Sequence, residues 1–504
     1  MTMGTEGTAG VPQSKLIQLR PYQKEAVEKL RGALRQGFRR IILVSPTGSG
    51  KTEIGFEVIR VAQIKGKRVA FIANRVHLVE QTCRRLAKAG FEYGVIQGAN
   101  TMAPWRAVLV CSIQTLARRG MPDVDLIVVD EAHACAGTKA YLAAIGNTYC
   151  IGLTATPYSK GLGKHFEALN GRLFEKVVSA ARVKDLIQDG YLVPADVWAP
   201  SEPDLTGVSV TAGDYNERQL GEAVDKIELI GDIVAHWFKI ASGTPTVVFA
   251  TNIAHSKHIV EQFRKAGVTA EHLDCYATDA ERQEILERVT TGQTLVVSNV
   301  GVLAEGWDFP ACRTLILARP TRSLIRYLQM AGRVLRPHPG KQRAIILDHS
   351  GVVRRLGFPW DDFSQDLDDG KPRKGGSSDR KEPLPRPCPQ CSLVRPAREL
   401  KCPSCGFEVK RPDGVEVRDG ELVPLAQTKG IPALREMNRG SIYRQLLSYA
   451  HSKGFQEGWA RHKYARIFGN YPTVNKGYEE PSGVLLGWIR SENIRRSKSH
   501  KGAA

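Results

Sequence analysis

Ile41-Ile42-Leu43-Val44-Ser45-Pro46-Thr47-Gly48-Ser49-Gly50-Lys51-Thr52 decides how this chain is read. Four apolar residues, a short Gly-rich turn and a Lys-Thr pair give the order strand, phosphate-wrapping loop, helix start. Such a loop points backbone N–H groups at phosphate oxygens, and the dipole of the following helix adds to the attraction. Lys51 is placed to reach β- and γ-phosphates, and the Thr52 hydroxyl to ligate Mg²⁺. Ser45 stands where the loop pattern has its first glycine. Ser45, Pro46, Thr47, Gly48, Ser49, Gly50, Lys51 and Thr52 together form the expected nucleotide cradle.

A second element complements the first. Leu126-Ile127-Val128-Val129 reads as another buried strand and delivers Asp130-Glu131-Ala132-His133 to its end. Asp130 is suited to hold the same Mg²⁺, and Glu131 to orient and deprotonate an attacking water. An isolated Asp-Glu pair is usually a solvated acidic turn. Behind an apolar strand and downstream of a phosphate loop it reads as the hydrolytic half of an ATPase.

Working outward, short apolar runs at 41–44, 69–73, 107–110, 126–129 and 149–153 alternate with helical patterns. That is the signature of a doubly wound parallel sheet. The pattern returns at 246–250, 295–297, 314–317 and 344–347. The expected fold class is α/β, with two tandem parallel-sheet lobes, a zinc ribbon and a small helical C-terminal region. The expected boundaries are lobe 1 over 1–200, lobe 2 over 201–365, a linker over 366–384, the ribbon over 385–412 and a basic, mostly helical region over 413–504.

The chain has 504 residues and a formal net charge of +19, most of it beyond Lys371. A basic tail on a nearly balanced body points to a polyanion, and nucleic acid fits best. No apolar stretch has spanning length, and the first residues lack a signal-peptide pattern. The expectation is a cytoplasmic protein of a prokaryotic or phage-infected cell, with no membrane partner.

Further motifs follow in order. Arg20-Pro21-Tyr22-Gln23, Ala73-Asn74-Arg75 and Cys111-Ser112-Ile113-Gln114-Thr115 precede Thr154-Ala155-Thr156-Pro157. Gly306-Trp307-Asp308 and Gln329-Met330-Ala331-Gly332-Arg333-Val334-Leu335-Arg336 lie in the second half. Residues 15–350 thereby resemble a superfamily 2 helicase of the DEAD/DEAH-box kind, which implies that the two parallel-sheet lobes are RecA-like. The resemblance implies that Arg20 and Gln23 recognise adenine. It implies that Arg75, Gln114 and Thr115 contact nucleic acid, and that Gly306 and Asp308 belong to a motif beside the nucleotide. Gln329, Arg333 and Arg336 would join Lys51, Asp130 and Glu131 as catalytic residues. The two arginines are spaced to project from one helix face and to meet the γ-phosphate as arginine fingers.

Cys388-Pro389-Gln390-Cys391 and Cys402-Pro403-Ser404-Cys405 form a paired C-x₂-C signature. Thiolates at this spacing hold one structural Zn²⁺ and leave no open position for catalysis. Basic neighbours suit the ribbon to nucleic acid, and a protein-docking role remains open. Beyond it, Tyr443, Leu446, Leu447, Trp459, Tyr464, Ile467 and Phe468 read as a small helical core in preference to a base-stacking platform. The end, Arg495-Arg496-Ser497-Lys498, reads as mobile.

Motor, ribbon and tail together resemble RadD-type bacterial and phage DNA-repair helicases. That resemblance implies ATP, Mg²⁺ and structural Zn²⁺ as cofactors. It implies single-stranded or branched DNA as partner, with contacts to a single-strand binding protein and a recombinase. An RNA helicase and an ATP-gated scaffold that recruits repair partners are the competing readings.

Overall fold

The structure is a computed structural model. It describes residues 18–499 except 138, 165–170, 212, 305–306, 364, 368–382, 410–430 and 474–476. The chain divides into two compact units, the first ending at Lys410.

The first unit holds both parallel sheets. Its first sheet contains β1 (Arg40–Val44), β2 (Val69–Ala73), β3 (Gly94–Gln97), β4 (Asn100–Met102), β5 (Val108–Ser112), β6 (Leu126–Val129), β7 (Tyr149–Thr154) and β8 (Lys176–Ser179). They lie in the order β4-β3-β5-β2-β6-β7-β1-β8, and only β4 runs antiparallel. All residues of β1, β2 and β5 are buried. Helices cover both faces of this sheet, which is why these strands are continuous apolar runs with no alternation. Register aligns Val44 with Thr154 and Val129 with Gly152. The loops leaving β1, β6 and β7 therefore open side by side at one edge, where doubly wound sheets bind ligands.

The second sheet contains β9 (Ala195–Trp198), β12 (Thr246–Phe249), β13 (Ala270–Leu273), β14 (Val296–Asn299), β15 (Thr314–Leu317) and β16 (Ala344–Asp348), in the order β13-β14-β12-β15-β16-β9. A small hairpin, β10 (Val210–Thr211) with β11 (Asp214–Tyr215), precedes β12. The expected lobe boundary at residue 200 needs correction. β9 pairs with β16 in the second sheet, so the crossing falls between Ser179 and Ala195. The chain also crosses back. Phe358 is buried in the second lobe's core, whereas Phe363 meets Tyr158 at 6.4 Å and Leu367 packs on a core cluster of the first lobe.

The ribbon strands, β17 (Arg386–Pro387) and β18 (Val394–Arg395), form an antiparallel pair. Leu393 bridges Trp198, the Ala199 N–H donates to the Ser392 carbonyl at 2.9 Å, and Val394 joins the second lobe's core. The ribbon thus covers β9, the open edge of the sheet, and protects its unpaired backbone.

The second unit is helical: Ile431–Glu436, Arg439–Ser452, Glu457–Phe468 and Gly483–Ser499. Asn438 caps the second helix by accepting from Gly440 and Ser441 N–H, and Gly469 ends the third in a left-handed conformation. Tyr443 and Tyr464 are core residues packed with Leu446, Ile467 and Trp488. Glu492 is buried beside Lys463 at 3.7 Å and Arg466 at 2.9 Å. The terminal helix runs to Ser499, so the expected mobile end is helical backbone up to that point. Among the described residues no helix is long and apolar enough to cross a membrane.

Candidate active site

The loop after β1 is closed from within. Ser45 and Ser49 are both buried, and their hydroxyls meet at 2.6 Å. Ser49 Oγ also donates to the Pro46 carbonyl at 2.6 Å. This accounts for Ser45 at the usual glycine position: its hydroxyl ties the two ends of the turn. Gly48 and Gly50 adopt φ of 86° and 76°, the region that favours glycine. Gly50 then caps α2 (Lys51–Ile64). The helix α1 (Pro21–Arg35) brings Tyr22 and Gln23 beneath the loop. Tyr22 Oη donates to the Ser49 carbonyl at 2.5 Å, and Gln23 Nε2 to the Ser49 and Gly50 carbonyls at 3.0 and 3.3 Å. Arg20 stacks over Tyr191 at 4.8 Å. Tyr191 carries no motif signal in the sequence.

Lys51 Nζ lies 2.5 Å from Glu131 Oε1. Burial alone would raise the Glu131 carboxyl, but Lys51, followed by His133, holds it well below the usual carboxylate range. Burial, then the neighbouring Glu131 charge, raises the Asp130 carboxyl against the pull of Lys51 and Arg85. A divalent cation would relieve that like-charge crowding, so the donor set of Asp130 and the Thr52 hydroxyl fits Mg²⁺. Glu131 has φ of 48°, an uncommon conformation for a residue with a side chain, and strain of this kind concentrates at functional positions.

The second lobe reaches this site through the short helix Leu324–Ala331 and the turn after it. Gln329 Nε2 lies 3.4 Å from His133 Nε2, whose Nδ1 is 3.3 Å from Glu131 and 3.2 Å from Thr154 Oγ1. Arg333 is buried and donates to the carbonyls of Ala304 at 3.0 Å and Trp307 at 2.6 Å. Arg336 pairs with Asp308. A Cβ on Gly332 would stand 2.3 Å from Thr47 Cβ, and one on Gly48 would stand 3.0 Å from Arg336 Cγ. The glycines therefore let the lobes touch across the phosphate loop. A cavity of about 840 Å³ results, lined by Lys51, Thr52, Asp130 and Glu131 from one lobe and Asp308, Arg333 and Arg336 from the other.

The nucleic-acid candidates separate. Arg75 is exposed at the end of β2, and Gln114 is exposed with its Nε2 donating to the Asn74 carbonyl at 2.6 Å. Thr115 is buried and accepts from Gly98 N–H at 2.7 Å, which fixes the β3–β4 turn. Gly306 lies outside the described residues. Arg85 was not expected at the site. It lines the cavity, and its charge reaches Asp130.

The four ribbon sulfurs of Cys388, Cys391, Cys402 and Cys405 lie within 4.8 Å of one another. Cys388–Cys405 and Cys391–Cys402 are each 3.6 Å apart, close to the ~3.8 Å expected between thiolates at Zn–S of ~2.3 Å in a tetrahedron. The knuckles are built alike. Ser392 N–H donates to the Cys388 carbonyl at 2.8 Å, and Gly406 N–H to the Cys402 carbonyl at 2.9 Å. Ser392 and Gly406 are both left-handed. The donor set fits zinc.

Two parallel-sheet lobes that enclose a phosphate loop, an Asp-Glu pair and two arginines define a nucleotide-driven motor. The chain belongs to superfamily 2 of the helicases and is an enzyme of the ATPase/helicase class. Residues 16–159 match the family model for the type III restriction enzyme res subunit, and residues 225–338 match the helicase conserved C-terminal domain. A 51.5 kDa protein of a Lactococcus phage is 27% identical over 376 residues, which cover 73% of this chain and 78% of that protein. The DNA 3'-5' translocase XPB2 of Sulfurisphaera tokodaii is 26% identical, with 64% of this chain and 79% of that protein covered. The chain spans only 52% and 58% of the length of two relatives from Saccharomyces cerevisiae and Schizosaccharomyces pombe. The fold is also that of the type ISP restriction-modification enzyme LlaBIII bound to DNA. There the TM-score is 0.50 at 18% identity, with 65% of this chain and 27% of that one covered.

Proposed function

We propose that this chain is a DNA-stimulated ATPase that moves along or remodels DNA. The observation that carries the reading is the single cavity where Lys51, Thr52, Asp130 and Glu131 face Arg333 and Arg336. Lys51 binds the triphosphate, and Thr52 with Asp130 would hold Mg²⁺, which would supply neutralisation of charge on the phosphates. Glu131 orients the attacking water and accepts its proton. Arg333 and Arg336 stabilise charge on the transferred phosphoryl from the opposite lobe. These groups belong to different lobes, so hydrolysis is tied to lobe approach, and contacts at the Arg75–Gln114 edge shift along a strand with each cycle.

The reading extends to repair, recombination or phage-replication intermediates. The pairing of motor with four-thiolate ribbon and basic helical tail supports it, and a single-strand binding protein and a recombinase are the proposed protein partners. Cys388, Cys391, Cys402 and Cys405 hold one structural Zn²⁺ in this reading. The test is ATP turnover without polymer and with single-stranded, duplex or branched DNA or RNA, beside Lys51→Ala and Glu131→Gln. The expected result is stimulation by DNA and near-complete loss in both variants. Stimulation by RNA alone overturns the DNA assignment.

A further inference from the structure

The helix α3 (Val76–Lys88) joins two places that a DNA-stimulated ATPase must connect. Its start follows Asn74 and Arg75 at the exposed edge, where Gln114 is bonded to the Asn74 carbonyl. At ~1.5 Å per residue it runs roughly 20 Å and passes along the nucleotide cavity. Leu78, Gln81, Arg85 and Lys88 line that cavity, and their spacing puts them on one helical stripe.

Within this stripe Arg85 touches the phosphate-loop helix. Its Nη2 meets Glu53 Oε1 at 2.6 Å, and its guanidinium carbon lies 5.5 Å from the centre of the Phe56 ring. Glu53 and Phe56 both sit on α2, and Glu53 directly follows Lys51 and Thr52. The two side chains of the pair are 38% and 37% exposed. An ion pair that wet contributes only ~0.2–1 kcal/mol, too little to serve as a fastener of the fold. The apolar residues Leu78, Val79 and Leu86 are buried in the lobe's core and hold α3 in place without it.

We propose that Arg85 is a positioning residue that transmits nucleic-acid engagement at the Asn74–Arg75 turn to Lys51 and Thr52, acting through Glu53. The inference rests on the reading of the chain as a nucleic-acid-stimulated ATPase. A packed helix moves as a body, so a shift of its first turn reaches Arg85. The short charge-assisted contact passes the shift to the first turn of α2, where sub-ångström changes in placement alter phosphoryl transfer.

The test uses the full chain with a single-stranded oligothymidylate. The ATP kcat is measured with and without the oligonucleotide, together with KM for ATP and oligonucleotide affinity by fluorescence anisotropy. Arg85→Ala is expected to lower the ratio of stimulated to basal kcat about fivefold, a change of ~1 kcal/mol and the most that so exposed a pair supplies, with oligonucleotide affinity held within about twofold. Arg85→Lys retains the charge and should recover most of the ratio. The reversed pair, Glu53→Lys with Arg85→Glu, should recover more than either single change predicts. A wild-type ratio in Arg85→Ala overturns the proposal. So does a fall in ratio matched by an equal loss of oligonucleotide affinity, which would make Arg85 a direct contact. Absence of stimulation in the wild-type chain is a different failure and sinks the functional reading itself.

Discussion

Gly332→Ala separates lobe contact from fold stability. Gly332 has φ of −64° and ψ of −15°, helical values that any residue adopts. Alanine is intrinsically ~1 kcal/mol better than glycine in such a backbone. The added Cβ, however, would lie 2.3 Å from Thr47 Cβ and 2.7 Å from Thr47 Cγ2. Carbon atoms pack at ~3.5–4.0 Å, so Thr47 must retreat by more than ~1 Å, and no rotamer moves a Cβ. Thr47 sits on the phosphate loop, so the clash falls on the approach of the lobes. Overpacking of this kind costs ~1–3 kcal/mol, equivalent to roughly 5- to 150-fold in rate if it opposes closure. The expected result is a DNA-stimulated kcat reduced at least about fivefold with an unchanged or raised Tm. Thr47→Gly in the same chain removes the obstructing carbons and should recover part of the loss beyond what Thr47→Gly shows alone. A wild-type kcat in Gly332→Ala would refute the claim that this contact belongs to the working cycle.

Three further outcomes are expected. Cys402→Ser should lower bound zinc from about one per chain and reduce Tm; because Val394 belongs to the second lobe's core, the loss should appear in the main unfolding transition, read by calorimetry with metal analysis. Glu492→Ala leaves Lys463 buried between the Trp459 and Trp488 rings without its carboxylate and should cost ~3–5 kcal/mol in the helical unit, measured by urea unfolding followed by tryptophan fluorescence. Burial pushes the Lys341 ammonium down to about 8, below the ~10.4 of an unfolded chain; between those values the unfolded state binds more protons, so stability should rise with pH. Lys341→Met should flatten that rise in a series of urea midpoints.

The central strands were legible because burial on both faces demands unbroken apolar runs, as in β1 and β6. The edge elements were not. β9 reads Ala-Asp-Val-Trp and β13 reads Ala-Glu-His-Leu, short and half polar, and their place depends on neighbours distant in sequence. The lobe boundary was misplaced for that reason. Lys51, Asp130, Glu131 and the four ribbon cysteines were picked out by residue type and spacing, and the structure brings the first three to one cavity and the four sulfurs within 4.8 Å of one another. Thr115 also satisfies the N–H of Gly98, a structural task that a polar residue after a strand does not announce in the sequence. Arg85 lay in a readable stripe with Leu78, Gln81 and Lys88, but periodicity does not say what the stripe faces. The docking of the ribbon on β9 rests on Leu393 and Val394, which carry no signal apart from their apolarity.

The groups of the cleft already hold protein partners. Lys51 is bonded to Glu131, Gln23 to the loop carbonyls, and Arg333 to the carbonyls of Ala304 and Trp307. A triphosphate engages such a site by exchange of partners, and its net gain is the difference between the new contact and the old one. For Lys51 the exchange has a second effect: when the ammonium turns to phosphate, Glu131 loses the charge that most strongly holds its carboxyl ionised. If Glu131 accepts a proton from water as proposed, it becomes a better base at the step where the substrate arrives. His133 remains beside Glu131 and Thr154 and reaches Gln329 in the other lobe, so the orientation of that carboxylate depends on where the second lobe stands. Binding, arming of the base and lobe position are thus linked through one chain of side-chain contacts. This is the physical reason hydrolysis in such a site can be made to wait for a track.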